Sequence, residues 1–186
     1  EFLTQHAHVR LDLVVSDAPV DIVAAGFDAG IQLGEVIDKD MIALPISSKL
    51  RMAAAASPAY FEQQSIPKVP GDLTRHNCIN MRFPTSGGLY VWEFERRDRQ
   101  VNVRVDGQAT FNTSPHIVLA ALEGLGVAFL PEDEFAPHIE EGRLVRVLQD
   151  WCPPFPGYHL YYPSRRQHSP AFSLVVEALR LVDEGR

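Results

Sequence analysis

Apolar and polar positions follow two periods along this chain, and their order predicts strands and helices in turn. Val9–Ser16 alternates apolar with polar residues and is rich in β-branched side chains, which indicates a strand. The pattern then predicts a short helix from Asp17 to Ala25 and a second strand over Asp28–Leu33. A strand–helix–strand unit this tight predicts a parallel strand pair with a right-handed crossover.

The alternation of strands and helices continues to the end of the chain. Further strands are predicted over residues 43–47, 50–57, 76–82, 108–112, 127–130, 144–148 and 158–162. Helices are predicted over residues 58–64, 115–124, 132–141 and 170–185. The runs Tyr90–Glu95 and Gln100–Val105 alternate around a polar tip and predict a β-hairpin. Mostly parallel strands that alternate with helices indicate an α/β architecture.

Small polar residues precede several of the predicted helices. Ser57 and Ser114 are each expected to cap a helix whose first residue is proline, and Ser16 precedes another helix. The N–H groups at helix N-termini bind carboxylates and other anions, and ligands of open α/β sheets collect at the carboxyl ends of strands. Plain helix capping explains each of these positions singly. Several of them converging on one cleft would form a receptor.

A proline-rich stretch at residues 153–157 is a natural place for the chain to return to an earlier domain. We therefore expect two lobes with a cleft between them. The first lobe is predicted to comprise residues 1–54 together with 156–186, and the second lobe residues 55–155.

Composition and charge exclude several classes of protein. With 46% hydrophobic and 22% charged residues, the chain has the balance of an ordinary globular protein. Seventeen basic against 24 acidic residues give a net charge of −7, so we expect that this chain does not itself bind DNA. No apolar run approaches the roughly 18 residues that a membrane helix needs, and no signal peptide is recognisable. A cytoplasmic protein without a membrane partner is therefore expected.

Residues that could form a catalytic centre are sparse. The chain has no G-x-S-x-G, Walker or H-E-x-x-H motif. His76 and Cys78 have the spacing of a nucleophilic pair, but a surface histidine beside a buried thiol is the favoured interpretation. His6 and His8 have no further metal ligands nearby. We predict no enzymatic activity, no metal site and no cofactor, and we expect Cys78 and Cys152 to be reduced.

Five segments form a combination that is specific, although each alone is weak. They are VRLDLVVSDAPVDIVAAGFDAGIQLG (residues 9–34), LRMAAAASPAYF (50–61), P-x-x-P-x-D-L-x-x-H-x-C-I (67–79), GLGVAFLP (124–131) and DWCPPFPGYHLYYPSRRQHSPAF (150–172). Together they resemble the LysR-type transcriptional regulators, and the resemblance covers nearly the whole chain.

The resemblance implies an effector-binding domain with the type 2 periplasmic-binding-protein-like fold, in which two Rossmann-like lobes are joined by crossover strands. A small organic effector, anionic or aromatic, would bind between the lobes and shift the population of their open and closed states. Family members associate as dimers or tetramers. They bind DNA through an N-terminal helix-turn-helix that is absent from this chain.

Relatives begin this domain with a strand that precedes residue 1, so the first strand of lobe I is expected to be missing here. That strand would lie between Val9–Ser16 and Asp28–Leu33, and its absence would leave both with unpaired edges. We therefore expect a first lobe that is gapped, or is completed by another segment or a neighbouring molecule, and that binds effector weakly or not at all.

Carried over position by position, the resemblance places hydroxyl, amide and aromatic side chains at the effector site. The predicted effector-binding residues are Ser16, Gln32, Phe83, Thr85, Ser86, Asn112, Thr113 and Ser114. Gln32 stands where close relatives often carry an arginine, and its neutral amide weakens the case for a strongly anionic effector.

Two other functions stay open on the sequence alone. A stand-alone solute-binding protein has the same fold, and a secretory signal upstream, in place of a helix-turn-helix, would indicate it. A hydrolase on an α/β scaffold would need the nucleophile motif that this chain lacks.

Overall fold

The computed structural model describes residues 1–16, 20–33, 37, 40–83, 86–164 and 169–183. Its helices are α1 (Phe2–Gln5), α2 (Pro58–Gln63), α3 (Ser114–Leu122), α4 (Glu132–Glu140) and α5 (Pro170–Asp183), with 3-10 helices at Pro70–Arg75 and Gln149–Trp151. Its strands are β1 (Gly30–Leu33), β2 (Met41–Pro45), β3 (Met52–Ala56), β4 (Asn80–Met81), β5 (Trp92–Arg96), β6 (Arg99–Val103), β7 (Thr110–Phe111), β8 (Ala128–Pro131), β9 (Val145–Val147) and β10 (Tyr158–Pro163). The chain forms two compact units, Glu1–Lys49 with Pro156–Arg186, and Leu50–Phe155.

The first unit contains a three-stranded antiparallel sheet in the order β1–β10–β2. β1 approaches β10 closely at Gly30, where a Cβ atom would lie 2.5 Å from the Tyr161 ring. A larger residue at this position would require the Tyr161 ring to move. On α5, the Phe172 ring meets the Tyr162 ring of β10 edge to face, with centroids 5.2 Å apart, so the helix packs on this sheet.

The amino-terminal part of the first unit corrects the predicted strand pair. Within the described residues Val9–Ser16 forms no strand, and Leu13 and Val15 on this segment are exposed. β1 pairs with β10 in antiparallel orientation and not with Val9–Ser16 in parallel. Alternating polarity identifies a segment that could form a strand, but it does not identify a partner for its backbone groups.

The helix predicted to end at Ala25 is a turn in its described part, and residues 17–19 lie outside the described residues. The Asp21 carboxylate accepts the N–H groups of Val23 and Ala24, each at 3.0 Å. Gly26 closes the turn with a φ of +78°. Asp21 caps the start of the turn and Gly26, in the left-handed conformation, ends it, so this segment forms a single turn and not a longer helix.

The second unit is organised around β3, which lies between β8 and β9 and is antiparallel to both. β4 and β7 form a parallel pair, and a parallel bridge between Cys78 and Val127 links this pair to β8. Among the described strand pairs only these two contacts are parallel, so the prediction of mostly parallel strands is wrong. β8 and β9, which α4 connects, run in the same direction. They are not neighbours, because β3 lies between them and runs the opposite way.

Apolar layers cover both faces of this sheet. The hairpin of β5 and β6 covers one face, where Trp92 stacks on Phe129 with ring centroids 5.2 Å apart. α3 and α4 cover the other face through buried side chains that include Ile117 and Phe135. The β3 residues Ala53–Ala56 are fully buried, and their small side chains let both layers pack closely on the strand.

Two local predictions in this unit are confirmed. The hairpin turns at Arg97 and Asp98, whose φ values of 51° and 62° give the backbone twist that suits a two-residue hairpin turn. Ser57 caps α2, because its hydroxyl accepts the N–H of Tyr60 at 3.2 Å. Pro58 is the first residue of that helix, as predicted.

Candidate functional site

The carboxyl ends of the parallel strands β4 and β7 lie side by side in the second unit. Met81 pairs with Phe111, and the N–H of Arg82 donates to the Phe111 carbonyl oxygen at 2.8 Å. Ligands of α/β proteins collect at this end of parallel strands. The loops that follow β4 and β7 carry most of the predicted effector-binding residues.

The loop after β4 is a tight turn that presents an aromatic side chain. The N–H of Phe83 donates to the Gly88 carbonyl oxygen at 2.9 Å, and the N–H of Gly88 donates to the Ser86 hydroxyl at 3.2 Å. Phe83 is 40% exposed, and its ring contacts the Tyr90 ring edge to face at 5.6 Å. Thr85 lies outside the described residues.

The loop after β7 leads into α3, and here the predicted cap is displaced by one residue. Thr113 is the N-cap residue and Ser114 is the first residue of α3. The Thr113 hydroxyl makes no capping hydrogen bond; it lies 2.6 Å from Nδ1 of His116. The His116 ring in turn stacks on Phe111, with centroids 6.0 Å apart. Asn112, between strand and cap, is exposed.

The first turn of α3 therefore has backbone N–H groups that no capping side chain occupies. These groups and the positive end of the helix dipole favour a negatively charged group. Sequence reasoning missed His116, whose place three residues after the cap is the signal that could have found it.

Ser16 and Gln32 belong to the first unit. Ser16 is exposed at the end of the segment that forms no strand. Gln32 is half-buried on β1, directly opposite His159 on β10. Phe83 and Ser86 follow β4 and residues 112–114 follow β7, so these residues belong to the second unit. The effector-binding roles of all the predicted residues stay predictions.

Tyr90 connects the exposed Phe83 to the core. Its ring stacks on Phe129 with centroids 6.2 Å apart. Burial raises the pKa of Tyr90 to about 12, and the nearby carboxylate of Glu93 adds to this effect. Tyr90 is therefore a neutral hydroxyl at physiological pH, so the loop after β4 is backed by an uncharged aromatic surface.

His76 and Cys78 do not form a reactive pair. His76 is buried, which corrects the expectation of a surface histidine, and its Nδ1 lies 3.1 Å from the Tyr60 hydroxyl. Burial raises the pKa of the Cys78 thiol to about 12 and that of the Cys152 thiol to about 11. Both thiols are free and buried, and a protonated thiol is a poor nucleophile.

Metal-binding clusters and membrane-spanning helices are both missing from the part of the chain that the structure describes. No group of three or more histidine, cysteine, aspartate or glutamate side chains there could hold a metal ion. No helix in the same residues is long and apolar enough to cross a membrane. The basic residues Arg96, Arg97 and Arg99 are exposed at the tip of the β5–β6 hairpin and do not belong to the loops that follow β4 and β7.

The fold matches solved regulatory domains over nearly its whole length. The regulatory domain of AphB from Vibrio vulnificus superposes with a TM-score of 0.83 at 22% identity, covering 98% of this chain and 88% of that one. The regulatory domain of CrgA, a LysR-type transcriptional regulator from Neisseria meningitidis, gives 0.78 at 21% identity, covering 97% and 87%. The chain thus has the type 2 periplasmic-binding-protein-like fold, as predicted.

Sequence comparison identifies the family. The family model described as LysR substrate binding domain matches residues 1–183. The chain is 63% identical over 178 residues to a putative transcriptional regulator of Pseudomonas aeruginosa, covering 96% of this chain and 58% of that protein. It is 42% identical over 179 residues to the HTH-type transcriptional regulator PgrR of Escherichia coli K12, covering 96% and 60%. This chain belongs to the LysR substrate-binding domain family and spans about 60% of the length of these relatives.

Proposed function

We propose that this chain is the small-molecule-sensing domain of a cytoplasmic LysR-type transcriptional regulator and is not an enzyme. The observation that carries the proposal is the pairing of β4 with β7, which brings two polar loops and the start of α3 to one end of the sheet. Membership of the LysR substrate-binding domain family supports it, and so do relatives that are named transcriptional regulators.

The chemistry at this end of the sheet favours an aromatic effector that carries a negative charge. The exposed ring of Phe83 offers an apolar face, and the uncapped first turn of α3 offers N–H donors to an anion. The proposed contacts in the second unit are Phe83, Thr85, Ser86, Asn112, Thr113 and Ser114. Ser16 and Gln32 of the first unit are further proposed contacts.

Regulation in this proposal is a population shift. An effector that binds one arrangement of the two units better than another changes their populations by its difference in affinity. The proposal takes the two compact units, residues 1–49 with 156–186 and residues 50–155, as the domain's two lobes, because the predicted boundary at residue 54 would divide β3. It includes self-association as a dimer or tetramer. DNA binding is assigned to a helix-turn-helix segment and not to this acidic domain, whose net charge is −7.

Ligand-dependent stability tests the proposal. Thermal unfolding is measured with benzoate, phenylacetate, their uncharged amides, and acetate. An aromatic carboxylate at about a hundredfold its dissociation constant is expected to raise the free energy of unfolding by about 2.7 kcal/mol. Each uncharged amide is expected to stabilise the domain less than its parent acid.

Variants locate the effect. Asn112→Ala and Phe83→Ala are each expected to weaken binding about tenfold, which removes about 1.4 kcal/mol of the ligand-induced stabilisation. Asn102→Ala, at an exposed position on β6, is the matched control and should respond like the unsubstituted chain. Equal stabilisation in all three variants would contradict the proposed site, and stabilisation by the uncharged amides that equals or exceeds that by their parent acids would contradict the proposed effector class.

A further inference from the structure

Three residues at the opposite end of β4 form a buried hydrogen-bond chain that the proposed function does not use. The N–H of Asn77 donates to the Tyr60 hydroxyl oxygen at 3.1 Å, and the same hydroxyl lies 3.1 Å from Nδ1 of His76. The Tyr60 hydroxyl oxygen already accepts a hydrogen bond from Asn77, and the hydroxyl can donate its single proton to Nδ1 of His76. This arrangement assigns His76 as neutral, with its proton on Nε2.

Asn77 connects this chain to two other segments. Its carbonyl oxygen accepts the N–H of Val127 at 2.9 Å, and its Oδ1 accepts the N–H of Gln108 at 2.8 Å. Its Nδ2 donates to the Leu125 carbonyl oxygen at 2.5 Å. Asn77 therefore fixes two segments: the one that leads into β7, through Gln108, and the one that runs from α3 into β8, through Leu125 and Val127.

The groups around His76 act on its charge in opposite directions. Tyr60 on α2 and Cys78 on the same segment as His76 are uncharged and buried. On the 3-10 helix Pro70–Arg75, the Asp72 carboxylate favours a protonated imidazole and the Arg75 guanidinium opposes it. Burial is the largest effect, and the pKa of His76 lies below its usual value of 6.5.

We propose that Tyr60, His76 and Asn77 form a proton-sensitive lock, in which protonation of His76 releases the two segments held by Asn77. A proton on Nδ1 turns the acceptor into a donor, so the buried tyrosine proton loses its partner and the hydroxyl no longer fits between both neighbours. The lock lies at the amino ends of β4 and β7, while the candidate site lies at their carboxyl ends. This inference rests on the hydrogen-bond geometry and does not depend on the proposed function.

The direction of the pH dependence follows from the lowered pKa. The unfolded or opened chain takes up the proton first, at about pH 6.5 for a free histidine. The stabilising contribution of the lock is therefore complete above that pH and declines as the pH falls towards the pKa of the folded state. For each pH unit by which the pKa of His76 in the folded chain lies below its pKa in the opened chain, full protonation favours opening about tenfold more.

Two NMR measurements on the full chain test the lock. Nitrogen shifts of the imidazole are followed from pH 8 to 4.5, and hydrogen exchange of the Asn77, Gln108 and Val127 amides is compared at pH 7.5 and 5.5 after correction for intrinsic rates. We expect neutral His76 with a proton on Nε2 at pH 7.5, a pKa below 6.5, and more frequent opening of these amides at pH 5.5 than at pH 7.5, by up to about tenfold.

Three variants separate a lock from a merely buried histidine. His76→Gln keeps an acceptor for Tyr60 but does not titrate, so opening of the three amides should change less than about twofold between the two pH values. Arg75→Gln, at a side chain 77% exposed, should raise the pKa of His76 without unfolding the domain. His8→Gln, at an exposed position, is the control and should behave like the unsubstituted chain.

The proposal is overturned if His76 carries its neutral-state proton on Nδ1, or if the three amides stay equally protected at both pH values. It is overturned equally if His76→Gln retains the acid-induced opening. Should His76→Gln fail to fold, the Arg75→Gln variant decides: a raised pKa of His76 with a smaller acid-induced opening of the three amides supports the lock, and an undiminished opening despite the raised pKa overturns it.

Discussion

Replacing Phe129 with alanine is expected to lower the free energy of unfolding of the second unit by about 3–5 kcal/mol. Phe129 is 2% exposed on β8, and its ring meets three others: Tyr90 at 6.2 Å, Trp92 at 5.2 Å and Phe94 at 4.8 Å. Removing the ring leaves a cavity that the sheet and the hairpin cannot both close. The variant therefore loses the packing of β5 and β6 as well as the apolar burial of its own side chain.

Urea unfolding followed by tryptophan fluorescence measures this loss, because Trp92 stacks directly on Phe129. Leu119→Ala on α3 is the control. Its side chain is 59% exposed, so the free energy of unfolding should change by no more than about 0.5 kcal/mol. A loss below about 1 kcal/mol in Phe129→Ala would show that the aromatic cluster is not the centre of the core.

Gly126→Ala is expected to destabilise the same unit by about 1–3 kcal/mol, at the upper end of that range because the obstacle is backbone. A Cβ at residue 126 would collide with the carbonyl oxygen of Asn77, which already accepts the N–H of Val127. Because the obstacle is backbone and not a flexible side chain, the strands must separate. The variant should lose the link between β4 and β8 that the bridge of Cys78 with Val127 provides.

Gly71→Ala is the matched control, because open space surrounds its Cβ position and its backbone does not require glycine. It should leave stability unchanged or raise it by up to about 1 kcal/mol. Both variants are compared by the same denaturant titration. Equal stability of Gly126→Ala and the unsubstituted chain would contradict the close approach of these two segments.

Local features of this fold could be predicted from the sequence because local chemistry determines them. The β5–β6 hairpin follows from alternation around a polar tip, and the cap of α2 follows from Ser57 before Pro58. The family resemblance and the fold that it implied are also confirmed. The hairpin and the cap depend on residues within a few positions of one another, whereas the resemblance rests on five segments spread over residues 9–172.

Pairing between distant segments could not be predicted in the same way. β3 lies between β8 and β9 and reverses the local strand direction, although the strand–helix–strand pattern around α4 was recognised. Val9–Ser16 has the alternation of a strand but forms none in the described part of the chain. Backbone hydrogen bonds need a partner, and the sequence of one segment does not specify where that partner lies.

The sequence likewise identified the loops of the candidate site but not the contacts that form within them. The family resemblance identified the residues at 83–86 and 112–114, and the pairing of β4 with β7 places the described ones, Phe83, Ser86 and 112–114, after two neighbouring strands. Ser114 was predicted as the N-cap of α3, but the N-cap is Thr113. A proline at the first or at the second helical position gives nearly the same sequence signal, so the sequence did not distinguish the two residues. His116 was missed because only the folded loop brings its ring onto Phe111.

The most direct test of the proposed function is to map a bound aromatic carboxylate onto the backbone by amide chemical shifts. The chain is titrated with whichever of benzoate and phenylacetate stabilises it more. The largest shift changes are predicted at Arg82, Phe83 and Ser86 after β4 and at the amides of the α3 start, which are Asn112, Thr113, Ser114, His116 and Ile117. Little change is expected at Arg96 and Arg99 on the hairpin tip. Shift changes concentrated on the hairpin, with none at the ends of β4 and β7, would contradict the account.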